Sequence, residues 1–295
     1  MIYYTGCPIC NSSNIQQCLS ATDHTVSQQI FSIWHCNACT ARFTQDVPGQ
    51  DAIGAFYASE NYISHSDTKK GIINSLYHIV RKRTLGAKRR LVIDETGTMK
   101  GTILDIGCGT GAFLNTMNEA DWNITGLEPD TVARTKAAEL YNIQPQESEK
   151  LFELKPATFN AITMWHVLEH VHDLHAYIKQ IEKLLAPGGK AFIAVPNYTS
   201  EDAAIYKEHW AAYDVPRHLY HFSPQSMETL LTQHNLKLTA VKPMWFDSFY
   251  VSMLSEQYKN GKGNIIKAVL NGFISNLAAW NNTRKCSSVI YVISK

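Results

Sequence analysis

From Gly101 onward, short apolar runs alternate with stretches in which apolar residues recur at helical spacing. The apolar runs lie at 102–106, 123–127, 161–165 and 191–195, and the helical stretches lie near 113–120, 131–141 and 174–185. This alternation is typical of βαβ units, which form a parallel sheet covered by helices on both faces. We therefore predict an α/β fold in which Pro187-Gly188-Gly189 ends the third helix.

The last third of the chain continues the pattern with one interruption. A helix near 224–233, a strand near 236–241 and an alternating strand at 288–293 are predicted from the spacing of the apolar residues. Between the last two strands, residues 245–284 are mostly helical in pattern. We expect this segment to be an insertion near the end of the sheet.

The first hundred residues differ from the rest. Residues 1–45 contain five of the seven cysteines and little helical periodicity, whereas residues 50–95 have a helical pattern with many basic residues. The sequence therefore predicts three segments, which are 1–45, 46–100 and 101–295.

Composition limits the classes of function. Of the 295 residues, 45% are apolar and 18% are charged, and the formal net charge is +1. A protein whose whole surface binds nucleic acid needs a stronger positive field. The start, MIYYTGCPIC, lacks the basic and apolar regions of a secretion signal. No run of about 18 apolar residues is long enough to span a bilayer. We expect a cytoplasmic protein.

A glycine-rich loop follows the first predicted strand. Gly107, Gly109 and Gly111 permit positive φ and let backbone N–H groups approach a ligand. With Ala112, the first two also match the G-x-G-x-x-A pattern of dinucleotide-binding proteins, so a nicotinamide-dependent oxidoreductase is an alternative. Asp105 argues against it, because a carboxylate at the strand end repels a pyrophosphate and can face a cationic sulfonium ligand.

Further motifs follow in a recognisable order. Glu128 closes the second strand, where a carboxylate can accept hydrogen bonds from both hydroxyls of a ribose. In order and spacing, the motifs resemble those of class I S-adenosylmethionine-dependent methyltransferases over residues 100–240. The motifs are Asp105-Ile106-Gly107-Cys108-Gly109-Thr110-Gly111, Leu127-Glu128-Pro129, Trp165-His166-Val167-Leu168-Glu169-His170 and Leu185-Ala186-Pro187-Gly188-Gly189. The resemblance implies a Rossmann-like, seven-stranded sheet with one antiparallel strand, which residues 288–293 would supply.

The resemblance also implies which residues bind S-adenosylmethionine. The glycine loop would surround the methionine part, Glu128 would hold the ribose, and Glu147 or Ser148 would lie near the adenine. Glu147-Ser148 departs from the Asp-Ala pair that is frequent in the family at this place. By analogy Tyr62 and His65 are lid residues, with core packing as the alternative. The predicted cofactor-binding set is Asp105, Gly107, Cys108, Gly109, Thr110, Gly111, Glu128, Pro129, Glu147, Ser148, His166 and Tyr62.

Two cysteine pairs precede the predicted sheet. Cys7-x-x-Cys10 and Cys36-x-x-Cys39 are separated by 25 residues. Four thiolates from two tight turns can hold Zn²⁺ tetrahedrally, and a metal stabilises a segment too short to bury a core of its own. The segment resembles a zinc ribbon, in which the metal is structural. The alternative fourth ligands are Cys18, His24 and His35. Free thiols or a redox pair are the alternatives to a metal site.

A basic run lies between Asp67 and Asp94, with no acidic residue inside it. Its cations are Lys69, Lys70, Arg81, Lys82, Arg83, Lys88, Arg89 and Arg90. These charges are typical of a solvated helix face. The alternative functions are binding of an anionic substrate or carrier, of an anionic membrane, or of RNA.

Polar and aromatic residues gather after the strand at 191–195, where open α/β sheets bind ligands. The predicted substrate-binding residues are Asn197, Tyr198, Trp210, Asp214, Arg217 and His221. The run Asp214-Val215-Pro216-Arg217-His218-Leu219, with His221-Phe222-Ser223, resembles a motif of small-molecule branches of the methyltransferase family. A hydroxyl acceptor must lose a proton, and the ordinary pKa of histidine suits that task. We predict His170 and His218 as catalytic residues, with structural histidines as the alternative.

These observations predict transfer of a methyl group from S-adenosylmethionine to a small-molecule acceptor. Oxygen is the favoured nucleophile, because the Asn/Asp-Pro-Pro-Tyr run that planar nitrogen acceptors usually require is absent after the strand at 161–165. One alternative is an RNA methyltransferase that uses the zinc ribbon and the basic helix. Another is a protein that binds S-adenosylmethionine without turnover.

Overall fold

The computed structural model describes residues 1–57 and 72–295, and of residues 72–82 it describes the backbone alone. The chain divides into two compact units. The first comprises Met1–Tyr62, His166–Ile178 and Ala194–Tyr291, and the second comprises Ile63–Trp165, Lys179–Ile193 and Val292–Lys295. The predicted segment boundaries at 45 and 100 were placed by sequence pattern, whereas these units are defined by compactness in space. The predicted boundaries therefore stay a prediction.

The first unit contains a small antiparallel sheet in the order β1-β2-β3-β8. Its strands are β1 (Ile15–Thr22), β2 (Ile30–Cys36), β3 (Arg42–Thr44) and β8 (Tyr220–His221). Alternate residues of β2, Phe31 and Ile33, are buried, as expected of a strand with one face on the core. Because Arg42 of β3 pairs with His221 of β8, the sheet joins the N-terminal ribbon to the loop predicted to bind the acceptor.

The second sheet has the order β5-β4-β6-β7-β10-β9. Its strands are β4 (Thr102–Ile106), β5 (Asn123–Leu127), β6 (Phe159–Trp165), β7 (Leu185–Pro196), β9 (Lys237–Pro243) and β10 (Ser288–Ser294). Strand β4 is parallel to β5 and to β6, and the register sets Asp105 opposite Gly126 on one side and Thr163 on the other. The predicted Rossmann-like α/β architecture is confirmed.

The resemblance implied seven strands, whereas the described part of the chain forms six and an isolated bridge. Gln146 makes a single parallel bridge with Leu127 of β5. The backbone N–H of Glu128 donates to the carbonyl of Gln146, and the N–H of Gln146 donates to that of Gly126. The position at which the family resemblance implies a third strand is therefore occupied by the single bridge of Gln146 to β5.

Strand β7 begins at Leu185 and includes Pro187-Gly188-Gly189, which we predicted as a turn between a helix and a later strand. A Cβ added to Gly189 would lie 2.7 Å from the carbonyl oxygen of Phe159 in β6. Glycine thus lets the two strands approach closely at this point. Residues 185–190 therefore belong to the strand, which begins before the predicted start at 191.

The helices follow the predicted periodicity. They are α1 (Ile72–Thr96), α2 (Ala112–Asn118), α3 (Thr131–Tyr141), α4 (Leu174–Leu184), α5 (Glu201–Tyr206), α6 (Pro224–Thr232), α7 (Asp247–Asn260) and α8 (Ile265–Asn281). Ser223 caps α6 in a capping box with Ser226, and Pro224 stands at the start. Helices α7 and α8 are the predicted insertion between β9 and β10. No helix within residues 1–57 and 72–295 is long and apolar enough to cross a bilayer.

Candidate functional site

The glycine loop joins β4 to α2 in the second unit. Gly107, Gly109 and Gly111 have φ of 71°, 55° and 78°, values that favour glycine. The N–H groups of Gly107 and Cys108 donate to the carbonyl of Leu127, at 2.7 and 3.0 Å. A Cβ added to Gly109 would find no described atom within 4 Å, so the loop has an open face above this residue. A ligand can approach its backbone there.

Glu128 connects the end of β5 to the glycine loop. Its Oε2 accepts a hydrogen bond from the N–H of Gly109 at 2.8 Å, and its Oε1 accepts one from the N–H of Asp130 at 3.0 Å. The side chain is buried, at 8% exposure. Each carboxylate oxygen can accept a second hydrogen bond. These contacts fix the orientation of the Glu128 carboxylate beside the glycine loop, and its contact with a ribose stays a prediction.

Asp105 is completely enclosed beneath the glycine loop. Its Oδ1 accepts a hydrogen bond of 2.6 Å from the hydroxyl of Thr163. Burial is the main cause that raises the pKa of Asp105, and the charge of Glu128 acts in the same direction, while Thr163 and the Lys88 ammonium act in the opposite direction; the resulting pKa is about 7. A nearby cation would favour the ionised form of this carboxyl group.

The remaining predicted cofactor residues lie around this loop with varied exposure. Cys108 is buried, and burial places the pKa of its thiol well above its usual range. Arg134 of α3 donates to the carbonyls of Glu128 and Pro129 and pairs with exposed Glu147 at 3.2 Å. Thr110 and Ser148 are half-buried. Tyr62 and His65 lie outside the described residues.

One cation of the basic run has a defined partner. The ammonium of Lys88 in α1 lies 4.2 Å from the centroid of the Trp165 ring, a cation–π contact. Trp165 ends β6 and also packs edge-on against Phe113 of α2. Lys69 and Lys70 lie outside the described residues, and the side chains of Arg81 and Lys82 are not described. Lys88 thus takes part in the packing beside the glycine loop.

The four predicted cysteine ligands converge in the first unit. The Sγ atoms of Cys7, Cys10, Cys36 and Cys39 all lie within 4.8 Å of one another, and none of these residues forms a disulfide. The Cys7–Cys39 and Cys10–Cys36 sulfur pairs are each 3.5 Å apart. Sulfurs bound to one tetrahedral Zn²⁺ at about 2.3 Å would be about 3.8 Å apart. The site therefore fits a zinc ion with only a small adjustment.

The two cysteine turns repeat the same backbone pattern. The N–H of Asn11 donates to the carbonyl of Cys7, and the N–H of Thr40 donates to that of Cys36, each at 2.9 Å. Asn11 and Thr40 both have positive φ, 59° and 62°. The alternative ligands lie apart: the Cys18 thiol donates to the carbonyl of Ile33, and His24 stacks on Tyr258. Two equivalent turns thus present four sulfurs to one point.

A second cluster of titratable groups surrounds Glu169, also in the first unit. Glu169, His170 and His218 each offer a ligand atom, all within 4.8 Å of one another, which is a set that could hold a divalent metal. Glu169 is 1% exposed, and among the described residues neither of its carboxylate oxygens receives a hydrogen bond. Glu169 is not among the residues predicted for the site, although its place between two histidines in His166-Val167-Leu168-Glu169-His170 was a visible signal.

His170 and His218 differ in their hydrogen bonds. The Nδ1 of His218 donates to the carbonyl of Ala212 at 2.8 Å, which leaves its Nε2 with a lone pair that can accept a proton. The Nδ1 of His170 contacts the Tyr57 hydroxyl at 2.9 Å and the Arg217 carbonyl at 3.1 Å. Burial and the neighbouring His218 lower the pKa of His170 to about 4. His218 is therefore the better placed proton acceptor.

His166 is held by two carboxylates. Its Nε2 lies 2.9 Å from Asp247 at the start of α7, and its Nδ1 lies 3.4 Å from Glu169. Burial opposes the charged form, but the two carboxylates outweigh it and raise the pKa of His166 to about 10. The same imidazolium helps to keep the pKa of Glu169 below its usual value despite burial. His166 is thus a fixed cation in the first unit, and its predicted contact with the cofactor stays a prediction.

Three of the predicted substrate-binding residues have structural partners. Arg217 is 1% exposed, and its guanidinium donates to Asp214, to Asp23 and to the carbonyl of Phe56. Asn197 is buried, with its amide donating to the carbonyls of Arg284 and Cys286 and accepting from Thr199. The indole of Trp210 donates to Asp202. The polar groups of Arg217, Asn197 and Trp210 thus have partners inside the protein, and their predicted substrate contacts stay a prediction.

The other predicted acceptor residues lie near the cysteine turns and the small sheet. The Tyr198 hydroxyl donates to the carbonyl of Thr40, and Arg42 stacks on the Tyr198 ring at 4.2 Å. His221 is buried beside the hydroxyl of Thr44, and burial lowers its pKa well below the usual value. Asp214 approaches the Nε2 of His218 to 3.9 Å. Asp214 is therefore placed to stabilise a positive charge on His218.

Comparison with known proteins identifies relatives of the chain. The methyltransferase domain family matches residues 78–241, more than half of the sequence. A ubiquinone biosynthesis O-methyltransferase of Pseudomonas aeruginosa is 33% identical over 113 residues, 36% of this chain and 49% of the relative. The enzyme of the same name from Nitrosococcus oceani is 29% identical over 173 residues, 54% of this chain and 71% of the relative.

The matches differ in sequence identity and in the share of each chain that they cover. The chain spans about half the length of the Pseudomonas relative that it matches. A solved S-adenosylmethionine-dependent methyltransferase from Archaeoglobus fulgidus is 16% identical, with a TM-score of 0.50, and the match covers 73% of this chain and 94% of that chain. At this identity the structural similarity supports the fold alone.

Proposed function

The chain belongs to the methyltransferase domain family, and from that premise we propose that it transfers a methyl group from S-adenosylmethionine to an oxygen atom of a small-molecule acceptor. The observation that carries the proposal is the pair of buried acids at the glycine loop, Asp105 and Glu128, beside an open stretch of backbone. Two carboxylates favour a cationic ligand and disfavour a pyrophosphate. The O-methyltransferase names of the relatives support oxygen as the nucleophile.

The residues present fit S-adenosylmethionine, which supplies an electrophilic methyl group when bound. Glu128 would accept hydrogen bonds from the two ribose hydroxyls, because the N–H groups of Gly109 and Asp130 already fix its orientation. Asp105 would offset the positive charge of the ligand from below the loop. The open face of the glycine loop above Gly109 would contact the methionine part and exclude water there.

For the acceptor we propose His218 as the general base. Its Nε2 carries the free lone pair, and Asp214 at 3.9 Å would stabilise the imidazolium formed when the acceptor hydroxyl is deprotonated. The buried carboxylate of Glu169 would also stabilise this imidazolium. Transfer itself is an in-line displacement, so the protein's remaining task is alignment of the acceptor oxygen.

We propose that the four-cysteine cluster holds one structural Zn²⁺. The support is the donor set and the repeated turn geometry of Cys7-x-x-Cys10 and Cys36-x-x-Cys39. Four thiolates complete the tetrahedral shell, so no position stays open for a substrate, and we assign the metal no step in methyl transfer.

Removal of the ribose-binding carboxylate should weaken cofactor binding. For Glu128→Ala we expect S-adenosylhomocysteine affinity to fall roughly ten- to a hundredfold, the loss of about 1.5–3 kcal/mol from charge-assisted hydrogen bonds. Isothermal titration calorimetry measures it. Glu139→Ala is the matched control, because Glu139 is exposed on α3 and lies outside the predicted cofactor-binding set. Unchanged affinity of Glu128→Ala, or tight binding of NAD by the wild type, would contradict the proposal.

Cofactor binding should also depend on pH through Asp105. The pKa of Asp105 is raised to about 7 in the free protein, and a cationic ligand favours its ionised form. Affinity for S-adenosylmethionine should therefore fall as the pH decreases below about 7, by up to about tenfold per pH unit, with proton release on binding. Calorimetry in buffers of different ionisation enthalpy measures the released proton. Asp105→Asn should bind more weakly and release none, and an equal proton release from this variant would refute the assignment.

A further inference from the structure

Helix α8 contacts the rest of its unit through small residues. Its buried positions are Ala268, Gly272, Ser275 and Ala279, which recur at helical spacing on one face. A Cβ on Gly272 would lie 2.7 Å from the ring of Phe249 in α7, so the two helices are in close contact. Ser275 donates to the buried carboxylate of Asp202 at 2.6 Å. This face is therefore the packed side of α8.

The large apolar residues of α8 lie on the opposite side, exposed. We define the α8 outer face as Ile266, Val269, Leu270, Phe273, Leu277 and Trp280. Ile266 is 82% exposed and Trp280 is 80% exposed. An ordinary surface helix buries its large apolar residues and exposes polar ones, and here the arrangement is reversed. A contiguous apolar surface of this kind indicates an interaction site.

The charged side chains of α8 and of the loop before it are all lysines. No Asp or Glu occurs in the sequence after Glu256. Lys259, Lys262 and Lys267 are exposed at the end of α7, in the connecting loop and in the first turn of α8. Exposed apolar residues with lysines beside them in the chain fit a surface that is apolar inside and anionic outside.

The length and composition of α8 favour a helix that lies on a surface. Its 17 residues extend about 25 Å at 1.5 Å per residue, less than the hydrocarbon thickness of a bilayer. Lys267, Asn271 and Asn276 interrupt the apolar sequence. In an interfacial helix the apolar face enters the headgroup region while lysines contact lipid phosphates, and tryptophan is favoured at that depth.

We propose that the α8 outer face binds the surface of an anionic lipid bilayer. A second copy of this chain fits less well, because a two-fold symmetric contact through this face would place the lysines of both copies, Lys262 and Lys267 in each, at one interface, where like charges repel. Helix α8 offers no acidic residue to offset that repulsion. The inference stands on the exposed residues of α7 and α8, and it does not depend on the proposed methyl transfer.

Vesicle sedimentation of the full chain tests the proposal. We expect binding to phosphatidylcholine vesicles that contain about one third phosphatidylglycerol, weaker binding as salt is raised, and little binding to phosphatidylcholine alone. Phe273→Ser should reduce the partition coefficient about tenfold by removing a large apolar group from the contact. Lys262→Gln should reduce it about fivefold through the loss of one cation near the lipid phosphates.

Matched controls separate this face from general effects of the substitutions. Met99→Ser removes an apolar residue that is 71% exposed outside α8, and Lys155→Gln removes an exposed cation from the second unit. Both should bind vesicles like the wild type, and all variants should keep the wild-type circular dichroism spectrum. Equal binding to neutral and anionic vesicles would overturn the proposal, as would undiminished binding by Phe273→Ser. A wild-type dimer that Phe273→Ser dissociates, without vesicle binding, would assign the face to self-association instead.

Discussion

Cys36→Ser should abolish zinc binding and loosen the N-terminal ribbon. We expect the wild type, purified without chelator, to contain one zinc per chain and the variant to contain almost none, because serine is a poor ligand for Zn²⁺ at neutral pH. Structural zinc contributes on the order of 10 kcal/mol or more to such modules. Strands β1 and β2 connect the two cysteine turns, so proteolysis within the first 45 residues should become much faster.

Cys18→Ser is the matched control for the zinc prediction. Cys18 lies on β1 with an exposed side chain outside the four-sulfur cluster, and its replacement should leave the zinc content unchanged. Affinity for S-adenosylhomocysteine should stay within about twofold of the wild type in both variants, because the cysteine cluster and the glycine loop belong to different compact units. Stoichiometric zinc in Cys36→Ser would remove this residue from the ligand set.

The sequence predicted those parts of the site that depend on local chain geometry. The glycine loop could be recognised because its function requires positive φ at fixed spacing, and Gly107, Gly109 and Gly111 all have it. The cysteine ligands could be recognised for the same reason, since each pair occupies one tight turn. The strand at 102–106 and the carboxylate at the end of the next strand followed from the periodicity.

Groups that meet only in the folded chain could not be predicted in this way. Arg217 is predicted to contact a substrate, and nothing in the sequence indicates that it is buried and donates to Asp23 and to the carbonyl of Phe56, which lie far away in sequence. Asn197 is likewise occupied by carbonyls that precede β10. A dense set of polar residues after a strand indicates a binding site, but the same residues can satisfy one another, and sequence spacing does not distinguish these outcomes.

The apolar segment of α8 shows a further limit of pattern analysis. The sequence predicts that residues 245–284 are mostly helical, and α7 and α8 lie there. Periodicity normally assigns the large apolar residues to the core. Here the small residues pack against α7 and the large ones are exposed, since Gly272 and Ala268 permit a closer approach of the two helices. Only the packing of the neighbouring helix decides which face is buried.

His218→Ala should slow methyl transfer strongly while cofactor binding persists. In the first unit the Nε2 of His218 is the available proton acceptor, with Asp214 and Glu169 placed to stabilise its charged form. Loss of a general base typically costs about two to four powers of ten in rate. S-adenosylhomocysteine affinity should stay near that of the wild type, because the glycine loop and Glu128 belong to β4 and β5. Turnover on the identified acceptor and calorimetry with S-adenosylhomocysteine measure the two effects separately.

Two comparisons make the His218 prediction specific. His170→Ala should have a smaller effect on rate, since a pKa lowered to about 4 makes His170 a weak base and its Nδ1 is engaged by Tyr57 and a backbone carbonyl. His218→Gln preserves much of the side-chain volume and can still donate to the Ala212 carbonyl, but it cannot accept the acceptor's proton. If His218 is the general base, the rate of methyl transfer should fall equally in His218→Gln and in His218→Ala. If His218 is only structural, His218→Gln should keep more activity than His218→Ala. Normal turnover in His218→Ala would contradict a catalytic function, and a loss of cofactor affinity at unchanged maximal rate would place this loop at the cofactor instead.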